Sequence, residues 1–461
     1  MNNSKIIRKI TLINSDGEYK EMESNKGAEA VMISSLKILR KFYPDAEYVT
    51  TIQSSERLQK EFDCRIIKND KFSYRTYSLM TSLKSTMNLV RCLIWNIIYK
   101  CTKKDLKFII NTRKLKEYYS SDLIIHLGMD LYSDDFGYRT VAEHSKDILQ
   151  AVFLGKKVIM WAESIGPFRN KLTRSIAKFT LNKVTLITLR ENISKSYLEN
   201  ISINKPQIHI TMDPAFILDP ASEIEVKNVL NANKINNLSK PIIGMSLSLT
   251  YMAGGMKKSG KIAFINRTSK FLQYVLPEKI FTPLLNRGRK TTIYSSAKDQ
   301  YTNLMAKVVD TIIEELDADI FLIPHLQHPL IGENNLHEMV LQKSNHKNKI
   351  NFISNECTAR EVKGIIGLCD MMISGRMHAA IAALSQNIPF VGLSYSYKFE
   401  GIAAMTRQEK YVCKEITYEN IIRKVMEVWN MKEDIAHQLQ ENRQNVISMA
   451  YANGDIIKSI E

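Results

Sequence analysis

The sequence predicts an α/β protein built from two Rossmann-like halves that face a cleft. Three observations carry this expectation. At 461 residues the chain is too long for one core and suits two α/β domains. Short apolar runs alternate with amphipathic segments over most of its length, as parallel βα units do. The alternation pauses over residues 220–240, a polar, Asn-rich stretch that reads as a linker, and then restarts. The expected domains are therefore 1–225, with a basic amphipathic insertion near 71–119, and 240–461, ending in helices.

In the first half the strand-like runs are residues 9–14, 123–127, 157–161, 186–189 and 207–212. Amphipathic helices are expected between them, as at 28–42 and 171–182. The second half begins at 241–248 and continues through 319–323, 350–353, 370–373 and 388–393, with helix from residue 418 onward.

Two segments read as insertions. Residues 71–119 carry Leu83, Met87, Val90, Ile94, Ile97 and Cys101 at alternating steps of three and four. Trp95 and Tyr99 lie among them, and Lys84, Arg91, Lys100, Lys103 and Lys104 surround them. Two readings fit: a helix lying on an anionic membrane surface, or a core helix with solvated lysines. Residues 251–298 contain Gly255-Met256-Lys257-Lys258-Ser259-Gly260-Lys261, which nearly spells a P-loop. Ile262 stands where a Ser or Thr should hold magnesium, so a flexible basic loop is expected instead.

Apolar residues make up 44% and charged residues 24%, ordinary for a soluble globular protein. The net charge of +16 is not ordinary and favours an acidic partner. No base-stacking or groove-reading module accompanies it, so nucleic acid is not the expected partner. The six cysteines form no CxxC and no regular framework, as in a cytoplasmic protein with reduced thiols. No stretch has the uncharged apolar length of a spanning helix, and residues 10–13 read as a first strand rather than a signal peptide. No HxxxH or HExxH spacing suggests a metal centre.

Chemistry is sought where polar residues follow predicted strands. Gly128-Met129-Asp130, Ser164, Arg190 and Glu191, Asp213, His325, and Arg376 with His378 all do so. Most have a plain structural reading. Asp213 before Pro214 initiates a turn or caps a helix, Glu191 is a first-turn acid, and His126 or His325 is a satisfied histidine. The run Ile373-Ser374-Gly375-Arg376-Met377-His378 resists such a reading, because two cationic-capable side chains at a Gly-marked strand–helix junction are poor core material. An anion fits there, since a helix N-terminus adds its dipole and free N–H groups to the arginine's charge.

These motifs together resemble the polysaccharide pyruvyl transferase family. Asn25-Lys26-Gly27-Ala28-Glu29-Ala30, with Phe42-Tyr43-Pro44-Asp45-Ala46, is similar to the family's opening glycine turn and first helix. Ser164-Ile165-Gly166-Pro167-Phe168, Ile187-Thr188-Leu189-Arg190-Glu191 and Asp213-Pro214-Ala215-Phe216 resemble its middle motifs. Ser374-Gly375-Arg376-Met377-His378-Ala379, with Ser394-Tyr395-Ser396-Tyr397-Lys398, resembles its most diagnostic block. The chain departs from the family at Gly128-Met129-Asp130, where two or three glycines are usual, and at Gly332-Glu333-Asn334-Asn335, where an aspartate is common.

The resemblance implies a GT-B-like fold and transfer of pyruvyl from phosphoenolpyruvate onto two hydroxyls of one sugar. The product is a cyclic ketal and phosphate is released, in cell-surface polysaccharide biosynthesis. It implies Arg376 and His378 as catalytic residues, with His378 either a general acid or a phosphate ligand. Arg190, Ser374, Gly375, His325, Lys398 and Asp213 are implied to bind substrate, with Arg190 opposite Arg376 in the cleft. No metal or nucleotide cofactor is implied. The implied partners are phosphoenolpyruvate, a glycan or lipid-linked sugar acceptor and an anionic inner-membrane surface, at which a cytoplasmic protein docks peripherally. The alternative is a nucleotide-sugar glycosyltransferase of polysaccharide assembly on the same frame.

Overall fold

In a computed structural model the described residues are 7–14, 24–51, 56–67, 79–236, 238, 241–248, 290–327, 333–394 and 396–460. The chain divides into two compact units. The first comprises Met1–Asp219, Gly401–Arg407 and Glu441–Glu461, and the second Pro220–Glu400 and Gln408–Gln440.

The first unit holds a parallel sheet of seven strands: β1 (Lys9–Ile13), β2 (Glu47–Thr50), β3 (Arg65–Ile66), β4 (Leu123–His126), β5 (Lys157–Glu163), β6 (Leu186–Leu189) and β7 (Gln207–Ile210). Their order is β3-β2-β1-β4-β5-β6-β7. β1 lies between β2 and β4, with Ile10 beside both Tyr48 and Leu123. β4 and β6 are buried along their whole length, which is why they read as unbroken apolar runs. The chain reverses its winding between β1 and β4, and the carboxyl ends of strands beside such a switch are where α/β sheets bind ligands.

The second unit repeats the plan with β8 (Ile242–Ser246), β9 (Asp319–Leu322), β10 (Ile350–Phe352), β11 (Met371–Ser374), β12 (Phe390–Leu393) and β13 (Val412–Cys413). Their order is β10-β9-β8-β11-β12-β13, and all the pairs are parallel. The switch here lies between β8 and β11, where Ser374 pairs with Ser246. The two-Rossmann-like α/β class is as expected. β2, β3 and β13 are additions of two to four residues at the sheet margins, too short to show periodicity.

The stretch expected as a linker contains a helix, Glu223–Ala232, of the second unit. A capping box explains it: Ser222 accepts from the Glu225 N–H while Glu225 reaches back to the Ser222 N–H. Val226 and Leu230 are buried, and the Ala221 N–H donates to the Arg360 carbonyl. Of the asparagines in this stretch, Asn228 and Asn231 lie within the helix, and Asn233 at its end accepts from the Ser354 and Asn355 N–H groups.

The chain closes in helices Tyr418–Asn430 and Lys432–Lys458, and the second of them ends in the first unit. Asn453 fixes that end: it accepts from Thr211 Oγ1 at 2.8 Å and donates to the Met212 carbonyl at 3.0 Å. Gly454 lets the helix press on Phe42, where a Cβ would lie 2.2 Å from the ring.

The basic insertion contains the helix Leu79–Thr102. It packs on the Tyr138–Phe153 helix, and its Cys92 and Trp95 are buried. Of the two readings open for this helix, the core-helix one does not fit its periodic apolar row, which points the other way: Leu83, Met87, Val90, Ile94 and Ile97 are each 45–54% exposed. The P-loop-like segment 255–261 lies outside the described residues.

Candidate functional site

In the second unit the site forms at the ends of β8, β9 and β11. Gly375 sits close against β8: its N–H donates to the Ser246 carbonyl at 2.8 Å, and a Cβ would stand a tight 3.2 Å from Ser248 N and 3.3 Å from Ser248 Cβ. The Ser374 hydroxyl staples the turn, accepting from the Arg376 N–H at 3.1 Å and donating to the Arg376 carbonyl at 2.7 Å. The amides of Gly375 and Arg376 are thus spent inside the turn. Donors for an anion must come from the helix Met377–Leu384, whose N-terminus no side chain caps. His378 stands in that first turn, half-buried.

Arg376 is the N-cap residue, and its side chain is 21% exposed. Its Nε donates to Glu333 Oε1. Glu333 is wholly buried, and its Oε2 accepts from the N–H groups of His325 (3.3 Å) and Leu326 (3.1 Å). One carboxylate therefore ties the β9 loop, with His325, to the β11 loop, with Arg376. Burial raises the Glu333 carboxyl's pKa, against the lowering pull of the Arg376 guanidinium and the hydrogen bonds it accepts.

Behind this pair lies His337. Its Nδ1 donates to the Glu333 carbonyl at 2.8 Å, and its Nε2 accepts from the Leu247 N–H at 3.1 Å, past the end of β8. That arrangement requires the neutral ring. Burial lowers its pKa to about 4, the Glu333 carbonyl acting against the fall and Arg376 with it. Lys398 is buried at the start of the helix Tyr397–Met405, with its Nζ 5.9 Å from the Tyr397 ring centroid. It follows β12, the strand next to β11.

The other expected residues belong to the first unit. Arg190 is fully buried just past β6. Its Nε donates to Ser164 Oγ at 2.9 Å and its Nη1 to Asp213 Oδ2 at 2.6 Å. Its Nη2 has no hydrogen-bond partner among the described residues. Burial works against the charge, but Asp213, Asp130 and Glu191 outweigh it and raise the guanidinium's pKa. Asp213 is also a cap, its Oδ1 accepting from the Ala215 N–H at 2.9 Å. Glu191 is the N-cap of the helix Asn192–Asn200, accepting from the Ser194 N–H at 2.8 Å.

Beside them is a constellation that the sequence reading passed over. His126 Nδ1 meets Glu163 Oε1 at 2.5 Å, and His126 Nε2 meets His144 Nδ1 at 2.7 Å, all three side chains fully buried. Burial, and then His126, push the His144 pKa well below its usual value, so the ring is neutral. His126 thus bridges Glu163 and His144. Glu163 Oε1 also accepts from the Gly128 N–H at 3.0 Å, and the Ser164 N–H donates to the Met129 carbonyl at 2.7 Å. Met129 has φ +52°, a conformation that favours glycine. The network holds this turn, and with it Asp130, in place. The signals were available: a histidine in an otherwise apolar strand and an acid at the end of another.

The family described as polysaccharide pyruvyl transferase matches residues 25–397 of the chain. The chain is 23% identical over 353 residues to the amylovoran biosynthesis protein AmsJ of Erwinia amylovora, covering 76% of this chain and 75% of that protein. Among solved structures, it resembles the UDP-GlcNAc 2-epimerase of Neisseria meningitidis (TM-score 0.56, 12% identity, 98% of this chain and 99% of that one). It also resembles a glycosyltransferase of Rickettsia africae (TM-score 0.53, 12% identity, 98% of each chain). These two likenesses are of fold.

Proposed function

Because the chain belongs to the polysaccharide pyruvyl transferase family, we propose that it moves a pyruvyl group from phosphoenolpyruvate onto two hydroxyls of one sugar during exopolysaccharide biosynthesis. The observation that supports this most is Arg376: a guanidinium fixed by buried Glu333, partly exposed, at the β8/β11 switch and beside an uncapped helix start. A guanidinium held this way meets the phosphate or carboxylate of the donor in a fork. His378 delivers a proton to the donor's methylene carbon, which becomes the methyl group. One sugar hydroxyl attacks the adjacent carbon and gives up its proton. The carbon–oxygen bond to phosphate breaks, and the second hydroxyl closes the ketal as it loses its own proton. Arg190, His325, Lys398 and Asp213 serve substrate binding. Ser374 and Gly375 shape the turn that presents Arg376. The reaction needs no metal or nucleotide. With a metabolite of the cytoplasm as donor, the reading sets the reaction there, on a glycan or a lipid-linked acceptor.

The test is acceptor-dependent phosphate release from phosphoenolpyruvate, with the ketal identified by mass spectrometry. Arg376→Ala lowers the rate by about 100-fold or more. In deuterated water the product methyl gains deuterium, and His378→Gln abolishes turnover while donor binding persists. If phosphoenolpyruvate is inert and a nucleotide sugar yields nucleoside diphosphate instead, the proposal fails and the glycosyltransferase reading replaces it.

A further inference from the structure

The Leu79–Thr102 helix is amphipathic the wrong way round for a helix lying on a protein in water. Its inward side is largely polar. Ser82 Oγ donates to Glu143, the Ser85 carbonyl accepts from Gln150, and Asn96 donates to the Phe153 carbonyl. Among its described side chains only Cys92 and Trp95 are buried. The outward side carries Leu83, Met87, Val90, Ile94 and Ile97, a contiguous row of large apolar side chains about half exposed. Just beyond the helix Phe108 is 75% exposed. The helix end is anchored, since Asp105 accepts from Trp95 Nε1 at 3.1 Å and from the Tyr119 hydroxyl.

From Leu79 to Lys104 there is no acidic residue, and Lys84, Arg91, Lys100, Lys103 and Lys104 are basic. We propose that this face docks on an anionic phospholipid bilayer, the apolar row entering the headgroup boundary and the lysines meeting lipid phosphates. Charge selects the occupant. A second copy of this chain would bring like charge to like, in a protein already at +16, whereas an anionic surface attracts each basic residue. No described helix is long and apolar enough to cross a membrane, so the contact is one of lying on the surface. This inference does not rest on the pyruvyl chemistry, since docking needs neither donor nor acceptor.

The test is flotation of the full chain with vesicles of phosphatidylcholine containing a quarter phosphatidylglycerol, against vesicles of phosphatidylcholine alone. Binding should be at least about tenfold stronger to the anionic vesicles and should fall with salt. The exposed triple variant Met87→Gln, Ile94→Gln, Ile97→Gln, checked for an unchanged circular dichroism spectrum, should lose about tenfold or more. Lys100→Glu with Lys103→Glu and Lys104→Glu should do the same on anionic vesicles only. Equal binding to both vesicle types, binding indifferent to the triple variant, or a dimer in sedimentation equilibrium that the triple variant breaks would each overturn the proposal.

Discussion

His337 makes acid stability of the second unit a quantitative matter. Its ring is buried, stacked at 6.3 Å on Phe352, and bonded at both nitrogens in a way that only the neutral form allows. The folded pKa is about 4 against an ordinary 6.5. Between these values the unfolded chain binds a proton that the folded one refuses, so stability falls as pH falls through that window and is fully present above it. A gap of roughly 2.5, at about 1.36 kcal/mol for each factor of ten in proton affinity, is worth about 3 kcal/mol. The perturbation is His337→Gln, which offers an amide donor and a carbonyl acceptor but no proton to bind. Urea unfolding, followed by hydrogen exchange of the β8 and β11 segments at steps from pH 7 to pH 4, reads the difference. At pH 7 the variant should be the less stable. As pH falls the wild type should lose about 3 kcal/mol that the variant keeps, so the curves converge or cross. Parallel curves across that range would refute the reasoning, because they would mean that the ring is already charged or already hydrated in the fold.

Two further outcomes bear on the loops that carry the site. Gly128→Ala would set a Cβ 2.5 Å from His126 Cε1 and 2.8 Å from Glu163 Oε2, so it should cost about 1–3 kcal/mol in urea denaturation; a neutral result would show that the histidine network yields freely. Glu333→Ala strips the partner from Arg376 Nε and from two backbone N–H groups, and should lower thermal stability by about 3 kcal/mol, whereas Glu333→Gln, which keeps an acceptor for those amides, should lose less; equal losses would place the cost in the lost charge rather than in the acceptor or the packing.

Much of the frame was legible in the sequence because parallel strands buried on both faces are apolar runs, as at β4, β6, β8 and β11. The Arg376 junction was legible for the opposite reason, two cationic-capable residues where core is expected. Glu333 was not. It lies 43 residues from Arg376, and nothing local distinguishes a buried acid from a solvated one just before a helix. The same holds for Glu163 and His144, which become partners of His126 only when β4, β5 and the Tyr138–Phe153 helix meet. Asp213 shows that two readings need not compete, since one of its oxygens caps a turn and the other pairs with Arg190.

The basic helix shows a different limit. Periodicity reveals that a helix has two faces, but not which of them meets the protein. Here the inward choice follows from partners: Ser82, Ser85 and Asn96 find hydrogen bonds along the Tyr138–Phe153 helix, and Trp95 finds Asp105. Rolled over by half a turn, the helix would hide its apolar row and solvate its serines, the better arrangement against water alone. With the row outward, the free energy of burying it is left for whatever covers that face. Lys84, Arg91 and Lys100 on the helix, Lys103 and Lys104 just past it, and the absence of acids from Leu79 to Lys104 are the grounds for proposing an anionic surface as that cover rather than another protein of the same charge.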